Sequence, residues 1–386
     1  MADLPPLDPR DDDAPLRGIS VVEVAGELTG YAGRLLADLG AEVTLVRLEG
    51  RNGAREPSLP VEAPAGGEID AEAVFLHRGK RTASLAEGSP ELRELVAAAD
   101  VLLESGGADA PAPLDLAGIE SPGLIHAVLT PFGLDGPAAG FVSTDLVRMA
   151  AGGLLWLGGY PDGEPVAAFG HQSTQATAIY ATVAVLLALV DRDATGEGCR
   201  LEISSQEVMT QALETSIAEY ELTGRVQRRL GAEPREAGTG VYPCADGYVS
   251  MVAGRLGTAE AWTRLREWLV ETGTPGAAEL WDQGWDDLGF RQRPESIARF
   301  GKIFASFAVT RGKEELYLEA QRRSIALAPV NALDEVLADP QLTARGFFVE
   351  EEPSLLVPAA PFRLSALGPE PAAVSPPDAA DAVSTQ

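Results

Sequence analysis

A chain of 386 residues with 45% apolar and 23% charged side chains is long enough for two hydrophobic cores and has the balance of a globular protein. Its formal charge of −28, from 58 acids against 30 bases, repels nucleic acid and anionic membrane, so neither is expected as a partner. Cys199 and Cys244 are too few for a disulfide framework, and a reducing cytoplasm is the expected location.

The opening MADLPPLDPRDDDAPLRG is acidic and proline-rich, the opposite of a signal peptide, and residues 1–15 are expected to form a flexible leader. A strand–helix–strand unit follows. Ile19–Val24 is a continuous apolar run, Gly26 and Gly30 mark a turn, Tyr31–Leu39 has helical spacing and Glu42–Arg47 is a second strand. A helix near Pro90–Ala99, a strand at Val101–Glu104 and another at Leu124–Thr130 continue the alternation, which predicts a parallel sheet covered on both faces. Ligands of such sheets gather at the carboxyl ends of the strands, here Ala25–Thr29, Arg47–Asn52, Glu104–Gly107 and Thr130–Gly136.

The run Ala176–Val190 is shorter than a bilayer span, carries two threonines and a tyrosine, and reads as a core helix. Beyond residue 230 the character changes. VYPCADGYVSMVAG predicts a hairpin turning at Asp246-Gly247, and helices are expected at Thr258–Glu271, Pro294–Ala308 and Lys313–Arg322. The expected organisation is a large Rossmann-like domain over 16–229 and 326–370, a smaller α+β domain over 230–325, and a loose tail over 371–386.

No GxxxxGK[ST], GxSxG, HExxH or CxxC is present, the first turn AGELTG is not GxGxxG, and the three histidines are far apart. Neither a metal nor a permanently bound cofactor is expected. His126 lies inside an apolar strand and reads as a satisfied core histidine. HRGKRTAS packs Arg78, Lys80 and Arg81 into a short stretch of a very acidic chain, and is either a solvated turn or a clamp for a phosphorylated ligand. Asp145, at the start of a small-residue helix, is either a cap or a carboxylate poised at a ligand. Ser173 or Thr174 can cap the helix after GHQSTQ, leaving its positive end open to a carboxylate or an oxyanion.

Several blocks taken in order carry a resemblance. They are LRGISVVEVAGELTGYAGRLLADLGAEVTLV, HRGKRTASL, PFGLDGP, STDLVRMAAGGLLWLGG, ALVDRDATGEGCRLEISSQE and PVNALDEVLADPQLTARGFF. Over about Leu16 to Leu367 the chain resembles the class III CoA-transferases, the CaiB/BaiF family, which includes formyl-CoA transferase and α-methylacyl-CoA racemase. The resemblance implies a Rossmann-like large domain, a small domain and a homodimer of interlocked chains. It also implies an acyl-CoA as substrate or ligand, its nucleotide end near Gly26, Glu27, Leu28 and the Arg78/Lys80/Arg81 cluster, with a carboxylate as acceptor. In such transferases an Asp attacks the thioester, forms a mixed anhydride and then carries CoA as a thioester on its own carboxylate, from which a second acid collects it.

At the position implied for that Asp this chain has Thr174, and no Asp or Glu occurs between Pro165 and Val190. The position implied for the racemase His is Thr144, beside Asp145. The loop after the third strand reads ESGGADAPAP in place of the family's arginine-bearing glycine loop. Three readings follow. One is acyl-CoA chemistry of transferase or racemase/epimerase type on a rearranged site, with Asp145 and His171 as base and acid. The second is a catalytically inactive CoA-binding subunit that pairs with an Asp-bearing homologue. The third is a transferase whose nucleophile is Glu27.

Overall fold

In the computed structural model, which describes residues 14–49, 59–62, 66–107, 113–231, 234–254, 259–351 and 355–362, the apolar runs become one parallel sheet. Residues 1–13 of the expected leader, the expected tail and residues 108–112 of the ESGGADAPAP loop lie outside the described residues. β1 (Ser20–Val24), with its buried valines, sits at the centre. Gly30–Asp38 forms α1, and β2 (Glu42–Glu49) pairs with β1 in register Val22↔Thr44. A short hairpin, β3 (Pro60–Glu62) and β4 (Glu68–Asp70), precedes α2 (Ala71–His77), which Asp70 caps by accepting the Ala73 amide. β5 (Arg81–Ala86), α3 (Pro90–Ala97), β6 (Val101–Ser105) and β7 (Ile125–Thr130) follow.

Three helices, α4 (Asp145–Ala151), α5 (Leu154–Leu157) and α6 (Gln172–Thr195), then lead to the edge strand β8 (Arg200–Ser204). The spatial order β5-β2-β1-β6-β7-β8 is that of a doubly wound sheet, whose direction of winding reverses between β1 and β6. The chain goes on through α7 (Ser205–Gln211) and α8 (Thr215–Thr223).

α6 departs from its reading as a simple core helix. Ala178, Ala181, Val185, Ala188 and Leu189 are buried in the main core, where α6 packs on α1, α4, α7, β7 and β8. Its opposite face leaves Ile179, Tyr180, Val183, Leu187 and Val190 exposed. At 24 residues it is long and apolar enough, by length and composition, to cross a membrane, with half of that stretch buried inside the protein.

The chain divides into two compact units. The sheet unit comprises the described residues up to 158, 165–227 and those from 340 on; the second comprises 159–164 and 228–339. In the second, β9 (Thr239–Cys244) and β10 (Gly247–Val252) form the expected hairpin, turning at Ala245 and Asp246. α9 (Ala259–Glu271), α10 (Leu288–Arg291), α11 (Pro294–Ala308) and α12 (Lys313–Arg322) surround an aromatic core. Phe300, Phe304 and Phe307 fall on one face of α11 at helical spacing and meet Tyr242 and Trp268 edge-on.

The expected return to the large domain at residue 326 is corrected. β11 (Ala326–Pro329) pairs antiparallel with β10, and α13 (Leu333–Leu337) also belongs to the second unit. The sheet unit resumes with α14 (Pro340–Ala344), β12 (Phe348–Glu351) and β13 (Leu355–Pro358). The buried Arg34 ties this returning hairpin down. Its guanidinium donates to the Pro358 and Phe75 carbonyls at 3.2 and 2.5 Å and pairs with Asp38 at 2.7 Å.

Candidate active site

The reversal of winding places the turn after β1 beside the end of β6. Gly26 permits this approach, since a Cβ there would lie 2.5 Å from Ser105 Oγ. Leu28 turns into the core, while the Glu27 side chain stays 29% exposed. The first turns of α4 and α6 supply the remaining groups.

α4 starts at a Thr144 cap whose hydroxyl accepts the Val147 amide, which leaves the Asp145 side chain for another task. Asp145 Oδ1 accepts the amides of Ser173 and Thr174 at 2.9 and 3.1 Å and the Ser173 hydroxyl at 2.6 Å. The carboxylate therefore caps a neighbouring helix, satisfying two of its orphan amides and opposing its dipole. This corrects two expectations. α6 begins at Gln172, so Ser173 and Thr174 lie within its first turn and neither hydroxyl is its cap. Its amide end is not open to a ligand's oxyanion at those two positions, because Asp145 fills it.

Arg148, three residues along α4 and 1% exposed, organises the rest. Its Nε donates to Ser173 Oγ at 3.0 Å, Nη1 to Ser143 Oγ at 2.9 Å, and Nη2 to both Glu27 Oε1 at 2.6 Å and Thr174 Oγ1 at 2.8 Å. A buried guanidinium is stable only with its donors satisfied, and here three hydroxyls and one carboxylate satisfy it. Sequence reasoning missed Arg148. The available signal is the Asp-x-x-Arg spacing, which puts both charges on one face of an otherwise small and apolar helix.

His171 precedes α6 with its ring half exposed, and its Nε2 lies 3.6 Å from Glu72 Oε1 on α2. Partial burial raises the Glu72 pKa above the usual carboxylate value; His171 pulls it down, and Asp70 and Glu27 push it up. Asp145 and His171 thus face different partners, and the base–acid pair expected of them is not assembled.

The basic cluster is likewise dispersed. The Lys80 side chain, 0% exposed, lies 2.6 Å from Glu23 Oε2 in the central strand and donates to the Gly30 carbonyl at 2.7 Å. Gly33 makes room for this pair, since a Cβ there would fall 1.7 Å from the Glu23 carboxylate. Arg78 sits 3.8 Å from Asp38, and Arg81 meets Glu42 at 2.8 Å in solvent. The expected three-base clamp is corrected: Lys80 is a structural cation beneath the first turn. Among the described residues no group of three or more His, Cys, Asp or Glu side chains could hold a metal. Chemically, the doorway of α6 offers hydroxyls already bonded to Arg148 or Asp145, and Glu27 as its partly exposed carboxylate.

A family model described as CoA-transferase family III matches residues 16–381. Succinyl-CoA:(R)-benzylsuccinate CoA-transferase subunit BbsE of Thauera aromatica is 31% identical over 340 residues, covering 85% of this chain and 82% of that protein. Succinate–glutarate CoA-transferase of Agrobacterium fabrum is also 31% identical, over 91% of this chain and 88% of its own. The crystal structure of a CaiB/BaiF family protein from Brucella suis superposes with a TM-score of 0.75 at 25% identity, covering 92% of this chain and 93% of that one. Sheet order, turn geometry and these matches over nearly the whole length agree, and the chain belongs to CoA-transferase family III.

Proposed function

We propose that this protein binds an acyl-CoA thioester at the carboxyl ends of β1 and β6, as the subunit of a CoA-transferase whose reactive carboxylate comes from a homologous, Asp-bearing chain. The observation that carries the reading is Thr174, whose hydroxyl is bonded to Arg148 where the family resemblance implies an acid. The hydroxyl's one carboxylate neighbour, Asp145 Oδ1 at 3.4 Å, is already taken up by two amides and the Ser173 hydroxyl, so Thr174 is a poor nucleophile. The Thauera relative is itself named as a subunit, which supports a divided enzyme. The exposed apolar face of α6 is suited to a partner chain, the same chain or a homologue, where burying it would stabilise association. In this reading Gly26 and Glu27 border the path of the CoA above the buried Leu28, Arg78 and Arg81 take its phosphates, and the working compartment is the cytoplasm.

In the assembled enzyme the partner's carboxylate attacks the thioester carbonyl and CoA leaves as thiolate, giving a mixed anhydride. The thiolate attacks the partner's acyl carbon and releases the donor acid as carboxylate. The acceptor carboxylate attacks that new thioester, releasing the thiolate, which takes up the acceptor's acyl group and regenerates the carboxylate.

A second reading has one specific observation in its favour. Glu27 is partly exposed at the end of β1, so this chain's own nucleophile would be Glu27 once it leaves Arg148. Incubating the purified chain with succinyl-CoA and examining it by intact-mass and peptide mass spectrometry separates the two. The subunit reading expects saturable CoA binding without covalent CoA, and transfer restored by an Asp-bearing homologue. CoA attached to Glu27 establishes the second reading, and absence of CoA binding at millimolar ligand sinks both.

A further inference from the structure

A cavity opens at the opposite end of the sheet from the α6 doorway, at the amino ends of β7 and β8. Its volume is about 630 Å³, within the range of small-molecule sites. Residues 113–124 form one wall, apolar at Leu114, Leu116, Ile119 and Leu124. That wall is held by Glu104, whose carboxylate accepts the Leu114 amide at 3.0 Å and stands 2.7 Å from His126 Nε2. The buried pair fixes the His126 ring, and its other nitrogen, Nδ1, has no hydrogen-bond partner among the described residues.

Arg200 lines the same cavity and is the register partner of His126 across β7 and β8, so their Cα atoms lie about 5 Å apart and their side chains leave the same face. Arg200 is exposed and makes no ion pair with the described residues. The acid at the rim, Asp115, accepts the Ala117 amide of its own loop at 2.9 Å. In a protein of charge −28, an exposed guanidinium that makes no ion pair with the described residues, beside an apolar wall, is a candidate anion contact.

We propose that this cavity is a binding site for a small monocarboxylate with a short apolar tail, separate from the site of acyl transfer. The Arg200 fork takes the carboxylate, and the tail lies on Leu114, Leu116 and Ile119. No bond is made or broken in the ligand.

Cys199 lines the cavity and is exposed, so its alkylation reports occupancy locally, with the half-buried Cys244 as internal reference. The probes are hexanoate and its neutral analogue hexan-1-ol, applied to the full chain with iodoacetamide. Hexanoate at about four times its dissociation constant slows Cys199 labelling about five-fold, because the free fraction falls as 1 + [L]/Kd. Hexan-1-ol leaves the rate within about two-fold, as the apolar wall alone supplies little of the affinity. Arg200→Gln, at an exposed position that folding does not require, abolishes the protection. Calorimetric titration of hexanoate gives the dissociation constant independently. Equal protection by both probes, retained protection in Arg200→Gln, or no hexanoate binding at millimolar concentration overturns the proposal.

Discussion

Arg148 Nη2 lies 2.8 Å from Thr174 Oγ1 and 2.6 Å from Glu27 Oε1, so one buried nitrogen joins the first turn of α6 to the turn after β1. Removing the guanidinium strands Ser143, Ser173, Thr174 and Glu27 together, and the carboxylate loses its counter-ion. Arg148→Met is expected to destabilise the protein by about 3–5 kcal/mol, the usual loss on breaking a buried pair from one side. The shift in denaturant midpoint measures it. A loss below about 1 kcal/mol would mean that the four acceptors find water instead.

Asp145 acts on α6 as a cap, and its substitutions should behave as cap substitutions. Asp145→Ala is expected to cost about 1–2 kcal/mol, whereas Asp145→Asn keeps an acceptor and costs less than half of that. The chemical corollary concerns proton transfer. In D2O an acyl-CoA should gain no α-deuterium on this protein, because Asp145 and His171 face different partners. Incorporation that disappears in His171→Ala would restore the racemase reading.

The sheet was legible in the residues because each strand is a short apolar run between turn residues, and alternation with helices imposes parallel pairing. What escaped is what depends on distant partners. Four residues, ALAP, carry no signal of which sheet they join, and β11 pairs with β10 rather than with the larger sheet. The cap of α6 comes from Asp145, 28 residues earlier, so the polar GHQST looks self-capping when read alone. The density of bases in RGKR suggests a ligand clamp, yet Glu23 in the midst of SVVEV carries the counter-signal. An acid in a fully covered central strand requires a buried base, and Lys80 is that base.

Lys80 and the two neighbouring arginines should therefore separate cleanly. Lys80→Met takes the cation away from Glu23, which is 1% exposed, and is expected to cost about 3–5 kcal/mol, much of it recovered when Glu23→Leu is added. Arg78→Ala with Arg81→Ala should weaken CoA more than dephospho-CoA while leaving the denaturation midpoint nearly unchanged at the exposed Arg81. Equal weakening of the two ligands would remove the arginines from the phosphate site.

Acid stability provides a further test, through the tie between the start of β1 and the end of α6. Burial of Asp100 acts to raise its pKa, but the Ser20 amide at 2.7 Å, the Ser20 hydroxyl at 2.9 Å and Arg192 at 2.8 Å outweigh burial and hold it below the ordinary value. A carboxyl lowered by folding binds fewer protons in the native state than in the unfolded one, so stability rises with pH across the interval between the two values. The contribution is complete above the unfolded aspartate value, about 3.9, and is lost as pH falls below it through the folded value. Asp100→Asn removes this dependence. Its denaturation midpoint should lie below that of the parent at neutral pH, and the gap should narrow as pH falls below about 4. A gap that stays constant across the interval would show that the Ser20 and Arg192 bonds do not discriminate between the carboxylate and its acid.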